Sequence, residues 1–157
     1  MPPSRRTLLI GLALILLAGA PVGDVNPPLP TGSLTIAGRT VLTVEMARTP
    51  VEKMRGLSGR SGLAPAHGMV FIYETPQPIS IWMKDMRFAL DIIWIRGGRI
   101  VHIEKQAPPL RPDGPEQIYT ATGDLVLEVP AGFADREKIR LDDPVVAKLP
   151  SGARNSE

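Results

Sequence analysis

A mainly β fold is predicted by three features of this 157-residue chain. Short segments with alternating apolar residues are separated by Gly, Pro and Asp turn chemistry, no long regular helix follows the apolar N-terminus, and no internal repeat is visible. The expected architecture is a small antiparallel sheet curled into a half-open barrel, with one or two short helices. Once a leader is removed, the length suits a single core.

Residues 1–23 read as an export signal or an N-terminal anchor. Arg5-Arg6 precede an apolar run from Thr7 to Val22, and Ala18-Gly19-Ala20 has the small-x-small pattern of a cleavage site, with Pro21 just beyond it disfavouring the cut. The run is short of the roughly twenty residues that span a bilayer comfortably, so an anchor is the second choice. Ser4-Arg5-Arg6-Thr7-Leu8-Leu9 resembles a twin-arginine signal, and ordinary Sec leaders also begin with basic pairs, so both routes stay open. The expected location is the periplasm or the outer face of the inner membrane. Residues 24–32, with Pro27, Pro28 and Pro30, read as an extended spacer, 33–149 as one globular β-domain and 150–157 as a disordered tail.

In the globular part, Leu34–Ile36 and Val41–Met46 flank Ala37-Gly38-Arg39 as a hairpin with Leu42, Val44 and Met46 inward. Thr49-Pro50-Val51-Glu52 announces a helix, with Thr49 as cap, Pro50 in the first turn and Glu52 closing a capping box; Gly56 and Gly59 end it. Met54 and Leu57 would turn its apolar side to the sheet, and Arg55 away from it. Two strands around Lys84–Arg87 follow, then a turn at Gly97-Gly98. The proline-rich loop Ala107–Gln117 covers the mouth of the sheet or merely connects strands. A strand at Leu125–Pro130, a helical turn at Ala131–Glu137 and an edge strand at Val145–Lys148, marked by Pro144, complete the domain.

Charge and cysteine content exclude whole classes of function. The 18 basic residues less Arg5 and Arg6 equal the 16 acidic ones, so the exported part is neutral and nucleic acid is not expected as a partner. With no cysteine there is no disulfide, thiolate metal site, cysteine nucleophile or lipid-carrying cysteine. No His-Glu-x-x-His, calcium loop, Gly-x-Ser-x-Gly or phosphate loop occurs, and no cofactor is expected.

The successive motifs Arg55-Gly56-Leu57-Ser58-Gly59-Arg60, Gly68-Met69-Val70-Phe71, Trp82-Met83-Lys84, Leu90-Asp91-Ile92-Ile93-Trp94 and Leu127-Glu128-Val129-Pro130-Ala131-Gly132 resemble, in order, those of the domain of unknown function 192 family, small and often exported proteins. The resemblance runs from about residue 34 to 147 and implies no activity. Asp85 and Met86 stand where the family more often has Asn and Thr, which puts the ligand preference of that turn in question.

A candidate site follows from pairing the central strands on paper. A turn at Lys84–Arg87 sets Met83 opposite Phe88, Ile81 opposite Leu90 and Ile79 opposite Ile92, and the Gly97-Gly98 turn adds Val101 opposite Trp94 and Ile103 opposite Ile92. One face is then apolar, and the other collects Ser80, Trp82, Ala89, Asp91, Ile93, His102 and Glu104. Asp91 lies opposite Ser80 and Glu104; two such carboxylates must share a proton, bind a cation or be solvated. The first functional reading is an exported binding or accessory module for a small polar ligand or cell-envelope component, using Arg55, Trp82, Lys84, Asp85, Asp91 and Glu104. The alternative is a hydrolase or lyase on envelope saccharides with Asp91 and Glu104 as its catalytic pair, unless backbone donors close the acid off. A third is Cu(I) binding through Met83, Met86, Met69, His67 and Trp82, although methionines at apolar strand positions are ordinary core.

Overall fold

The computed structural model describes residues 26–111 and 113–151. The expected leader and most of the expected tail lie outside these residues. The elements are β1 (Thr31–Ile36), β2 (Thr40–Ala47), α1 (Pro50–Arg55), β3 (His67–Trp82), β4 (Leu90–Arg96), β5 (Arg99–Ala107), β6 (Ile118–Pro130), α2 (Phe133–Arg136) and β7 (Val145–Lys148). They form a seven-stranded sheet in the order β5-β4-β6-β3-β2-β1-β7, a curled half-barrel as the turn pattern predicted.

Local expectations hold. The β1–β2 hairpin closes with Ile36 opposite Thr40 across Ala37-Gly38-Arg39, and Leu42, Val44 and Met46 are buried. Thr49 caps α1, accepting from the Glu52 amide, while the Glu52 carboxylate accepts from the amides of Arg48 and Thr49. β7 is an edge strand, as Pro144 implied. Its entry meets the far edge of the sheet: Arg99 bridges Pro144, and the Val145 amide donates to the Gly98 carbonyl at 2.8 Å. The barrel is therefore joined at one end of its seam.

Long-range expectations are corrected in three places. First, β3 and β4 do not pair, because β6 inserts between them, antiparallel to both, and β3 pairs with β2 in parallel. Met83, Ile81 and Ile79 therefore do not face Phe88, Leu90 and Ile92 across a hairpin. Second, the Gly97-Gly98 turn forms with Arg96 opposite Arg99, but Val101 is an extra residue in β5. Trp94 then pairs with His102 and Ile93 with Ile103, one residue out of the register expected. Third, Met54 does not face the sheet: it is 72% exposed and α1 buries no residue, whereas Leu57 just beyond the helix is buried.

The central strands are covered on both faces. One face holds Leu34, Val44, Val70, Ile93, Ile95, Leu127 and Val129; the other holds Met69, Phe71, Ile79, Ile81, Met83, Ile92, Trp94 and Val126. This explains why Leu90–Ile95 reads as an unbroken apolar run around one acid rather than as an alternation. The long β3–β6 arm curls over the second face, where the Trp94 indole N–H donates to the Ile79 carbonyl at 3.0 Å. Burial of such side chains stabilises the fold by about 1.5–3 kcal/mol each.

The expected spacer is docked from its first described residue. Asn26 is buried and its Nδ2 donates to the carbonyls of Gly56 and Ser58, the Leu29 amide donates to Glu45 Oε2, and the Pro30 carbonyl accepts from Met46.

Candidate functional site

The loop after α1 builds one wall of a cleft. Gly56 turns the chain at φ +48, with its α-carbon face against the Phe71 ring, where a Cβ would stand 3.3 Å from Cζ. Arg60, at the end of the same loop, is buried and forms a forked ion pair with Glu45, Nη2 lying 2.8 Å from Oε2. Burial alone would raise the Glu45 carboxyl, but the Arg60 fork, the Leu29 amide and the Arg60 charge together hold it below the usual glutamate range. Two residues of this loop grip the turn after β3: Ser58 Oγ donates to the Lys84 carbonyl and the Gly59 amide to the Asp85 carbonyl. Asp85 occupies the left-handed region at φ +57, a conformation that Asn and Asp tolerate better than most residues.

Trp82 stands at the lip of the cleft. Its neighbours Ile81 and Met83 are buried while Trp82 is 44% exposed, the alternation expected of it. The Lys84 ammonium lies 5.6 Å from the indole centroid. A shallow bay of about 180 Å³ is lined by Met54, Ser58, Trp82, Lys84 and Asp85. It adjoins a narrower cleft of about 70 Å³ whose lining includes Lys53, Arg55, Tyr73, Trp82, Met86 and Glu128. The structure thus brings together four of the residues the sequence nominated: Arg55, Trp82, Lys84 and Asp85.

It separates the other two from them and from each other. Asp91 is fully buried, and its carboxylate is closed off by backbone donors: Oδ1 accepts from the Gln106 amide at 2.8 Å and the Gly132 amide at 3.1 Å, Oδ2 from the Ala134 amide at 2.8 Å. It fastens a second irregularity of β5, where Gln106 sits at φ +53, to the turn that begins α2. Across β4, Glu104 is registered to Ile92, not to Asp91, and in β6 Asp91 faces Val129 rather than the expected Ser80. The Asp91–Glu104 pair is therefore not formed. Ser80 instead bonds Thr120, with 2.8 Å between hydroxyls.

The copper set is likewise dispersed. Met69 and Met83 pack in the aliphatic core, His67 is exposed with Nδ1 2.9 Å from the Pro65 carbonyl oxygen, and only Met86 and Trp82 line the cleft. Among the described residues no group of three or more His, Asp or Glu side chains is arranged to hold a metal ion.

Glu128 is the residue that sequence reasoning missed. It sits on β6 between Met69 of β3 and Ile92 of β4, 5% exposed, at the floor of the cleft. Gly68 lets β3 lie flush here: a Cβ on it would stand 2.7 Å from the Glu128 carbonyl oxygen. Among the described residues the Glu128 side chain makes no hydrogen bond and no ion pair. Burial pushes its carboxyl up to about 8, so it carries its proton at neutral pH. Tyr73 beside it is raised by burial and then by the Glu128 charge, and Lys53, whose ammonium lies 3.8 Å from the Tyr73 ring centroid, is lowered by burial. Glu104 and Glu128 both register to Ile92, so their backbones stand about 9–10 Å apart, two strand spacings. Glu104 does not line the cleft.

A larger hollow, about 520 Å³, lies between Arg39–Val41, the 63–66 loop and Phe133–Glu137. It contains none of the nominated residues, and its size alone gives it no chemistry.

Comparisons with known proteins agree with this architecture. The family model for domain of unknown function 192, described as uncharacterized ACR, matches residues 32–147. No curated protein matches. Among solved structures, the chain is similar to a protein from Sinorhizobium meliloti 1021 described as a candidate transcription regulator, at 29% identity and a TM-score of 0.70, over 77% of this chain and 96% of that one. It is also similar to a protein of unknown function from Novosphingobium aromaticivorans DSM 12444, at 29% identity and a TM-score of 0.69, over 78% of this chain and 94% of that one.

Proposed function

This chain belongs to the domain of unknown function 192 family, which brings no activity with it, and from that premise we propose that it is a small exported binding module whose ligand occupies the cleft between Trp82 and Glu128. The observation that carries the reading is the pairing of an exposed indole at the lip with a buried carboxyl at the floor that has no partner among the described residues. Elsewhere in the described fold, buried acids are satisfied: Asp91 by three amides, Glu45 by Arg60 and Leu29. A polar group left open inside a cleft costs stability unless a ligand completes it. The rim supplies an aromatic platform and the cations Lys53, Arg55 and Lys84, while the RGLSGR loop holds the wall in place.

The saccharide hydrolase or lyase built on Asp91 and Glu104 loses its basis, because all of the Asp91 acceptor capacity seen here is spent on the backbone. A nucleic-acid role, the one the Sinorhizobium description would suggest, finds no support in a chain that carries 16 basic and 16 acidic residues once Arg5 and Arg6 are set aside.

Export is part of the proposal and rests on Arg5-Arg6 and the apolar run behind them. Among the described residues no helix is long and apolar enough to cross a membrane. Cell fractionation is expected to recover the protein in the periplasm or on the outer face of the inner membrane; full-length protein in the cytoplasm would sink this half of the reading. Replacing Arg5 and Arg6 with lysines separates the routes, since twin-arginine export fails and Sec export continues. The binding half is tested by fragment screening with the Trp82 indole N–H as reporter: ligands are expected to move it, and to lose affinity in Trp82→Ala, where the backbone amides of the cleft lining report instead.

A further inference from the structure

We propose that the cleft takes the carboxylate end of a small organic acid, with Glu128 donating a hydrogen bond to it from the floor. The inference rests on the reading of the cleft as a binding site and adds the chemical class of ligand.

Three observations converge on it. The first is the state of Glu128 itself: enclosed between Met69 and Ile92, without a partner among the described residues, and with burial raising its carboxyl to about 8, it offers an O–H at neutral pH. A carboxylate is the acceptor that gains most from such a donor, because a hydrogen bond between O–H and a charged oxygen is short and roughly twice as strong as a neutral one. The second is the charge of the lining. Lys53 and Arg55 of α1 flank the inner cleft and Lys84 stands over Trp82 at the bay, against the single carboxylate of Asp85. An ammonium ligand would have to pass these cations and strip the proton from Glu128; a carboxylate is attracted by the first and needs the second. The third is size. About 70 Å³ holds a few water molecules. Only the end of a ligand enters, while its body rests in the bay of about 180 Å³ against the indole.

Binding is then linked to the protonation of Glu128. The titratable groups on the elements packed around it are Lys53 and Arg55 of α1, Tyr73 of β3 and Glu74 beside it, whose charge acts on Lys53, Glu45 of β2 beyond Met69 with its Arg60 partner, Lys84 and Asp85 of the turn after β3, and Glu104 of β5 beyond Ile92; Asp91 is on the opposite face. Tyr73, raised by burial, stays uncharged through the window in which Glu128 titrates. Affinity for a carboxylate is therefore steady below neutral pH and lost as pH rises through about 8.

The test uses the full chain and three probes of nearly equal shape: propionate, propionamide and propylammonium. Their binding is followed by NMR at the Trp82 indole N–H. Propionate is expected to bind saturably and best of the three, weakening about tenfold between pH 7 and pH 9. Glu128→Gln offers only the weaker amide N–H and cannot ionise, so propionate affinity should fall at pH 7 and no longer change between pH 7 and pH 9. The wild-type pH series stands without the variant. Preference for propylammonium or propionamide, propionate affinity flat from pH 7 to pH 9, or the same slope in Glu128→Gln would overturn the carboxylate assignment while leaving a binding cleft. An indole N–H unmoved by all three probes at tens of millimolar would overturn both.

Discussion

Asp91 and Glu128 are buried acids on adjacent central strands, one residue out of step: Asp91 faces Val129, and Ile92 faces Glu128. The pleat sends them to opposite faces of the sheet. Asp91 meets three backbone N–H groups that the irregularities of β5 and the turn into α2 aim at it. Glu128 lines a narrow cleft and finds no hydrogen-bond donor among the described residues. Similar burial thus produces opposite roles, because what decides the fate of a carboxyl in a core is the supply of donors, not depth. One acid holds the fold together, and the other is a cost the fold carries.

The contrast is sharpest in stability. Asp91→Ala leaves three amides without their acceptor and is expected to destabilise by about 4–6 kcal/mol in chemical denaturation. Asp91→Asn keeps one oxygen for Gln106 and Gly132 but presents N–H₂ to Ala134, so its loss is smaller; a loss under about 1 kcal/mol for either variant would break the comparison. Glu128→Gln has the opposite sign. The folded carboxyl titrates near 8 against 4.5 in the unfolded chain, so the folded state binds more protons between these values, and stability falls as pH rises from one to the other. Removing the acid abolishes that fall: the variant should gain about 5 kcal/mol at pH 9 and almost nothing at pH 4. Matching pH profiles for the two proteins would refute the assignment.

The Glu45–Arg60 pair lies between the two extremes, partly buried but fully matched. Glu45→Gln is expected to cost about 1–3 kcal/mol at pH 7. Because the Glu45 pKa is depressed on folding, the difference from wild type should be present above the unfolded value of 4.5 and fade as pH falls below it. Urea titrations at pH 7 and pH 3 measure both ends. The smallest stability effect belongs to Trp82→Phe, about 0.5 kcal/mol or less, since the indole is half in solvent. Its consequence should appear in the cleft, as a changed ligand affinity.

What was legible in the sequence was local. The β1–β2 hairpin, the Thr49–Glu52 capping box, the Gly97-Gly98 turn and the edge character of β7 are written within a few residues of themselves. So were four site residues, because Arg55 ends α1 where the cleft-wall loop begins and Trp82, Lys84 and Asp85 cluster at one turn. The strand order was not, since a strand from residue 118 onward displaces the nearer partner that turn rules favour. Nor was the extra residue at Val101, which shifts the pairing of β5 and dissolves the Asp91–Glu104 pair. Glu128 was hidden by its setting: Leu125, Leu127 and Val129 alternate with Val126 and Glu128, a pattern that puts an acid in solvent only where a sheet is covered on one side. The unbroken apolar run of β4 was the signal that this sheet is covered on both.

The insertion of β6 between β3 and β4 also sets a timetable. Strands β1 to β3 can associate as they are made, and β4 with β5 can close on their own turn, but the two halves have no mutual backbone bonds until residues 118–130 arrive. The sheet is completed late and by non-local contacts, which makes its assembly slow relative to helical domains of this length. During synthesis most of the chain is out of the ribosome before its core can close. A protein built in this order stays threadable for longer than one whose neighbours in sequence are neighbours in space.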